Sequence, residues 1–158
     1  MPADSDGHGP ATLPRSYRPL GTRVVAAIAA VGMTVAMAFL WESLPASVQA
    51  DFTAFQRLTL LGFFAVTMVV LFALFRTSAR ADDSGLRVVN GYRTRRLEWA
   101  EIVSVSLHPN RPWAMLDLAD GGTVAVMAIQ NADGARAARS ARELAGVIAE
   151  RSPSDRDT

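Results

Sequence analysis

Val24–Trp41 reads VVAAIAAVGMTVAMAFLW and Leu58–Phe75 reads LTLLGFFAVTMVVLFALF, and neither stretch holds a charged residue. A helix of about 18 residues rising ~1.5 Å per residue is ~27 Å long, close to the hydrocarbon thickness of a bilayer. Two such blocks side by side in 158 residues exceed what one small soluble core would bury. The reading is a pair of transmembrane helices joined as a hairpin. Thr34 and Thr67 can bond back to their own helix backbone, so the spans read as anchors and not as an ion path. Ala26, Ala30, Gly32 and Ala36 give small-residue spacings that let two helices approach closely.

Working outward, the flanks set an orientation. Arg15, Arg18 and Arg23 precede the first block and Arg76 and Arg80 follow the second, while the connecting loop carries Glu42, Asp51 and Arg57. The arginine excess outside that loop predicts both termini, and whatever follows the second block, on the cytoplasmic side of the cell membrane. Tyr17 and Trp41 suit the interfacial level. A cleaved signal peptide ending near Val48-Gln49-Ala50 is the rival reading. It fits less well, because the apolar run is longer than the usual h-region and the tail before it is long.

Composition closes several classes. There is no cysteine, so neither a disulfide framework nor a thiolate metal site exists. All basic residues are arginine, and the net charge of +1 gives no basis for nucleic-acid binding. Residues 1 to about 14 and 152–158 are polar and read as disordered tails, with His8 given no role.

From Leu86 the apolar period changes. Leu86 to Val89 reads as a strand leading into Asn90-Gly91, a hairpin turn where both residues tolerate positive φ, and Tyr92 to Glu98 returns as a second strand. Val103, Val105 and Leu107 alternate with Ser104 and Ser106 as a third strand. His108 to Pro112 is a proline turn, Trp113–Leu118 a fourth strand, Asp120-Gly121-Gly122 a turn, and Thr123–Ile129 a fifth strand. Ala137, Ala141, Leu144, Ala145 and Ile148 then form one helical stripe, with Asn131 or Asp133 as cap and Pro153 beyond its end. About five antiparallel strands and a C-terminal helix make a small α+β module.

This pattern resembles the bacterial pleckstrin-homology (PH) domain, and more narrowly the two-pass membrane proteins of the low-molecular-weight protein antigen type. The residues that carry the resemblance are Tyr17-Arg18-Pro19, Gly85-Leu86-Arg87-Val88, and Trp99 to Ile102. About five clear strands fall short of the seven of a full PH domain. The expected organisation is a tail and membrane-proximal segment 1–23, helices 24–41 and 58–75 around an external loop 42–57, a linker 76–85, a PH-like domain 86–151 and a tail 152–158.

Arg87, Arg93, Arg95 and Arg96 are the candidate site. Arg93 and Arg95 share a face by strand alternation. The resemblance implies that basic residues near a PH domain's first hairpin meet phosphoinositides, and guanidinium groups suit phosphate oxygens. The alternatives are diffuse attraction to an anionic leaflet and a solvated edge whose charge blocks strand pairing. Trp99 is expected as a core anchor. Trp113 reads as core plug or exposed recognition residue, and His108 as a turn residue. No phosphate loop, nucleophile elbow or metal-ligand set is present, and neither Asp82-Asp83 nor Glu98/Glu101 makes a catalytic pair. The expectation is a non-enzyme without cofactor or metal, holding a PH-like interaction module at the inner leaflet to bind a protein partner. The alternatives are an anionic-headgroup sensor and a structural component acting through its spans.

Overall fold

The computed structural model describes residues 13–152. Of the expected tails, residues 1–12 and 153–158, with His8 and Pro153, lie outside the described residues, whereas Leu13 packs against the core and Ser152 is hydrogen-bonded. The chain opens with a short strand β1 (Arg15–Tyr17), followed by α1 (Leu20–Ser43), a short α2 (Ala46–Asp51) and α3 (Ala54–Arg76). Strands β2 (Ser78–Asp82), β3 (Gly85–Asn90) and β4 (Arg93–Leu97) come next, then a single 3-10 turn at Trp99–Glu101. The chain continues through β5 (Ile102–Ser106), β6 (Trp113–Leu118) and β7 (Thr123–Gln130) to a 3-10 turn at Asn131–Asp133 and α4 (Ala135–Arg151).

The two expected apolar helices are present and longer than their uncharged cores, at 24 and 23 residues. Pro45 follows the end of α1 by two residues, where a helix cannot continue. Thr53 and Gln56 close a capping box that starts α3. Thr34 donates to the Ala30 carbonyl at 2.7 Å and Thr67 to Phe63 at 2.9 Å, so both hydroxyls are satisfied within their own helix. At the far end of the hairpin Trp41 stacks edge-on against Phe52 and lies under the Arg57 guanidinium, which tightens the α1–α3 connection.

All five expected strands are present within a residue or two of their predicted ends. Two further strands complete a set of seven, in a four-stranded sheet β1-β2-β3-β4 and a three-stranded sheet β5-β6-β7. One of the additions, β2, occupies half of the expected linker, and the other, β1, lies in the expected membrane-proximal segment. They pair antiparallel with each other, Tyr17 opposite Ala79 and Arg15 opposite Ala81. The whole helical hairpin is therefore an insertion between two neighbouring strands of one sheet. Tyr17, expected at an interface, is instead buried in the core of the sheet domain. Packing of its ring against the sheet outweighs the amphipathic preference that would hold it beside lipid.

The two sheets and α4 enclose one core. Leu86, Val88 and Leu97 face it from the first sheet, Leu116 and Val126 from the second, and Leu144 from the helix. Gly85 is required where β3 begins: its φ is +148°, and a Cβ there would lie 2.1 Å from the Leu97 carbonyl oxygen. The helix stripe differs from the expected one at a single place, since Val147 is buried and Ala145 exposed. The caps differ as well. α4 starts at Gly134 with no side-chain cap. Asn131 donates to the carbonyls of His108, at 2.6 Å, and of Arg111. Asp133 serves another helix, as described below. At the other end Ser152 donates to the carbonyls of Trp99 and Ile102, both at 2.9 Å, tying the end of α4 to the second sheet.

Candidate functional site

Two features on the sheet domain can carry function: its joint with the helical hairpin, and its arginine-bearing strands. At the joint, α1 begins against the end of β7. The Gly21 amide donates to the Asp133 carboxylate at 3.3 Å, and the Thr22 hydroxyl donates to Gln130. The first amides of a helix have no internal partner and carry partial positive charge, so a carboxylate there satisfies one donor and complements the dipole. On the other side Arg23 donates from Nε to the Phe75 carbonyl at 2.9 Å, with its guanidinium carbon 4.4 Å from the Phe75 ring centre. That pair ties the first turn of α1 to the last turn of α3.

The β3–β4 turn completes the joint. Asn90 pairs with Arg93, so the two-residue loop is Gly91–Tyr92 and not Asn90–Gly91. Gly91 alone takes positive φ, at +62°, at the first central position, where a type II′ turn places glycine. Asn90 belongs to the strand and bridges the first sheet to β7, donating to the Ala125 carbonyl at 2.7 Å and accepting from the Met127 amide at 3.2 Å. Tyr92 reaches across to α3, where its hydroxyl donates to the Val69 carbonyl at 2.6 Å. Arg76 lies over both Phe72 and Tyr92, each 5.8 Å from its guanidinium carbon. The hairpin and the sheet domain are thus joined at both helix ends by side-chain contacts and not merely by covalent chain.

The four candidate arginines are all exposed, but they do not form one cluster. Register places Arg87 opposite Arg96, and Arg80 opposite Arg87. Arg80, Arg87 and Arg96 therefore form a row across β2, β3 and β4 on the outer face, with neighbouring strands ~4.8 Å apart. Arg93 and Arg95 do share a face, as expected, but it is the inner one, beyond the covered part of the core. Like charges directly opposite one another on a sheet cost stability. Among the described residues no carboxylate forms an ion pair with any of the row. The row borders an open groove of about 570 Å³ that is lined also by Asp82, Glu98 and Glu101. Two of these carboxylates are engaged locally: Asp82 accepts from the Ser84 hydroxyl at 2.6 Å, and Glu101 from the Glu98 amide at 2.7 Å. The Ser84 hydrogen bonds and the nearby Arg80 charge hold the Asp82 carboxyl below its ordinary range.

Arg80 and Tyr92 were outside the sequence-based site. A signal for Arg80 existed in the alternation Ala79-Arg80-Ala81, but alanine is a poor strand former and the apolar block just before it suggested a linker. Nothing local marks Tyr92, because its partner lies 23 residues away on a helix. The strand count also moves the expected headgroup site. The Arg87–Arg96 hairpin joins the third and fourth strands, so it is not the first hairpin on which the phosphoinositide expectation rested. The loop between strands one and two is here the helical hairpin itself.

Trp99 lies in the core, 6 % exposed, and its indole donates to the Asp82 carbonyl at 3.0 Å. Trp113 is half-buried beside a register irregularity, and His108 is a residue of the proline turn. Among the described residues no group of three or more His, Asp or Glu is arranged to hold a metal ion.

Seven strands in two sheets closed by a C-terminal helix define a PH-like domain, here carrying two long apolar helices between its first two strands. Residues 76–146 match the family model described as bacterial PH domain, which spans β2 to β7 and most of α4 and leaves β1 ahead of the hairpin. The chain is 36% identical over 93 residues to uncharacterized proteins of Mycobacterium tuberculosis (strain ATCC 25618 / H37Rv) and Mycobacterium bovis (strain ATCC BAA-935 / AF2122/97). The similarity covers 59% of this chain and 59% of each relative, so the chain spans somewhat over half the length of the curated relatives it matches. No solved structure matches.

Proposed function

We propose that this protein is a membrane-anchored, non-catalytic interaction module: the helical hairpin crosses the cell membrane and the PH-like domain stands at the cytoplasmic face to bind a protein partner. The observation that carries this reading is the insertion of the hairpin between two paired strands, with side-chain contacts closing both joints. A tether for a freely tumbling domain needs neither. The helices themselves suit lipid: α1 buries only Ala26 and α3 buries nothing, and Phe39, Phe55 and Phe63 are each more than 70 % exposed. So large an apolar surface is foreign to a soluble monomer. Arg18, Arg23, Arg76 and Arg80 gather at the sheet end, against a single arginine, Arg57, beside Glu42 and Asp51 at the other, which favours the sheet end inside.

Because the chain lacks cysteine, single cysteines report topology cleanly. In intact cells a membrane-impermeant thiol reagent should label Ser47→Cys, while Thr123→Cys should react only after permeabilisation. Labelling of both in intact cells would remove the inner-leaflet placement. Photo-crosslinkers attached to cysteines on the sheet domain should then yield discrete protein adducts. Adducts to lipid alone would replace the partner reading by the headgroup reading.

A further inference from the structure

We propose that the outer edge of β4 is a strand-addition site for an extended acidic segment of a partner protein, a site that deepens the module reading above and rests on it. β4 has one strand neighbour, β3, and no other strand among the described residues lies along its far edge. Its first four residues, Arg93 to Arg96, are exposed. Asn90 and Arg93 close the two-residue turn, and antiparallel pairs alternate between bonded and non-bonded from there. The alternation turns the N–H and C=O groups of Thr94 and Arg96 away from β3. Those four backbone groups are the template that an added strand uses.

Charge selects the kind of strand. An incoming residue beside β4 meets Arg93 and Arg95 on the inner face and Arg96 on the outer face, with Arg87 and Arg80 continuing the outer row. Asp82, Glu98 and Glu101 line the same groove as the outer row, but no carboxylate within the described residues forms an ion pair with any of these five, and Arg93 and Arg95 lie outside that groove. A second copy of β4 would set arginine against arginine, so self-pairing is disfavoured by the repulsion that like charges suffer across a ladder. A strand bearing glutamate or aspartate relieves that repulsion from both faces. Its main-chain bonds supply affinity and its carboxylates meet guanidinium groups whose planar donors match them. The joint at Gly91, Tyr92 and Val69 holds the β3–β4 hairpin still, so the added strand meets an edge already ordered.

The test uses the full chain in nanodiscs of neutral lipid. A labelled short peptide of alternating glutamate and valine is titrated by fluorescence anisotropy, beside its glutamine counterpart. We expect saturable binding of the acidic peptide and little of the glutamine one. Thr94→Pro removes one outward donor without touching the β3 ladder and should weaken binding about fivefold or more. Thr94→Val keeps the donor and should bind as the wild type does, which excludes loss of the threonine side chain as the cause, and an unchanged thermal transition of Thr94→Pro separates loss of the edge from loss of folding. Arg95→Gln with Arg96→Gln should weaken binding further. Acidic-peptide affinity unchanged by Thr94→Pro overturns strand addition. Binding to vesicles containing phosphatidylserine without binding to the peptide overturns it in favour of the membrane. Photo-crosslinking in native membranes separates the two levels. Adducts lost in Thr94→Pro but kept in Thr94→Val support the edge. Adducts equal in all three variants overturn the edge and leave the module reading standing. No protein adduct from the wild-type sheet domain overturns both.

Discussion

Asn90 and Tyr92 sit two residues apart and hold different halves of the molecule together. Asn90 closes the gap between the sheets with two hydrogen bonds to β7, so Asn90→Ala leaves a part-buried carbonyl and amide without this partner. The expected loss is about 1–3 kcal/mol, read as a lower midpoint in denaturant unfolding. Trp99 acts inside the core: Trp99→Ala should cost about 3–5 kcal/mol, enough to unfold much of so small a domain. Trp99→Phe should cost less, keeping most of the apolar contact while losing the bond to Asp82. Tyr17 gives a pH signature. Burial, and secondarily the Glu143 carboxylate, raise its phenol above the ordinary 10.0. The folded state therefore holds that proton more tightly than the unfolded chain. The stabilisation linked to it is intact below pH 10 and is lost as pH rises through the folded value. Unfolding followed between pH 9 and 11 should show this decline in the wild type and a shallower one in Tyr17→Phe.

At the level of elements, the β3–β4 hairpin makes the joint between the sheet and α3. A Cβ built on Gly91 in its turn would lie 3.5 Å from the Ala73 side chain, and the neighbouring Tyr92 sends its hydroxyl to Val69. Tyr92→Phe should leave the fold intact yet loosen this contact. Hydrogen exchange of the Gly91–Arg93 amides should rise, while amides in the core strand β6 stay as they were. Gly91→Ala tests a second component, because a positive φ costs an L-residue about 1 kcal/mol whatever the space around it. Equal exchange in the wild type and Tyr92→Phe would mean that the hairpin is held without this bond, by Arg76, by the bonds of Asn90 to β7 and by the Gly91 amide's bond to the Thr77 hydroxyl.

For the whole molecule, the insertion of the helical hairpin between β1 and β2 sets what can be cut away. A fragment starting at residue 80 lacks β1 and the first two residues of β2, and so loses Tyr17 and Ala79 from the core and bares the edge of β3. It should be poorly soluble or molten by near-UV circular dichroism. Joining residues 13–18 to 77–152 through a short Gly/Ser turn restores the β1–β2 pairing and should give a cooperative thermal transition. If the shorter fragment unfolds with equal cooperativity, β1 is dispensable and the sheet is a three-stranded one.

Much of this was legible along the chain. Eighteen-residue uncharged blocks can be satisfied only as helices in an apolar setting, and strict alternation in Val103–Leu107 or a four-three spacing in Ala137–Ile148 admits one local geometry each, so helices, five strands and the C-terminal helix could be read directly. Arg93 and Arg95 could be placed on one face for the same reason. What tertiary structure alone decided is which segments pair across distance. Arg15–Tyr17 is too short to announce itself as a strand, and Ala79-Arg80-Ala81 too weak. They become strands because each supplies the other's backbone partners and because Tyr17 finds a core to fill. The same long-range pairing sorted the arginines, putting Arg80, Arg87 and Arg96 in one row and Arg93 and Arg95 behind them, since register between strands is set by the packed face and the turn and not by the order of residues in either strand alone.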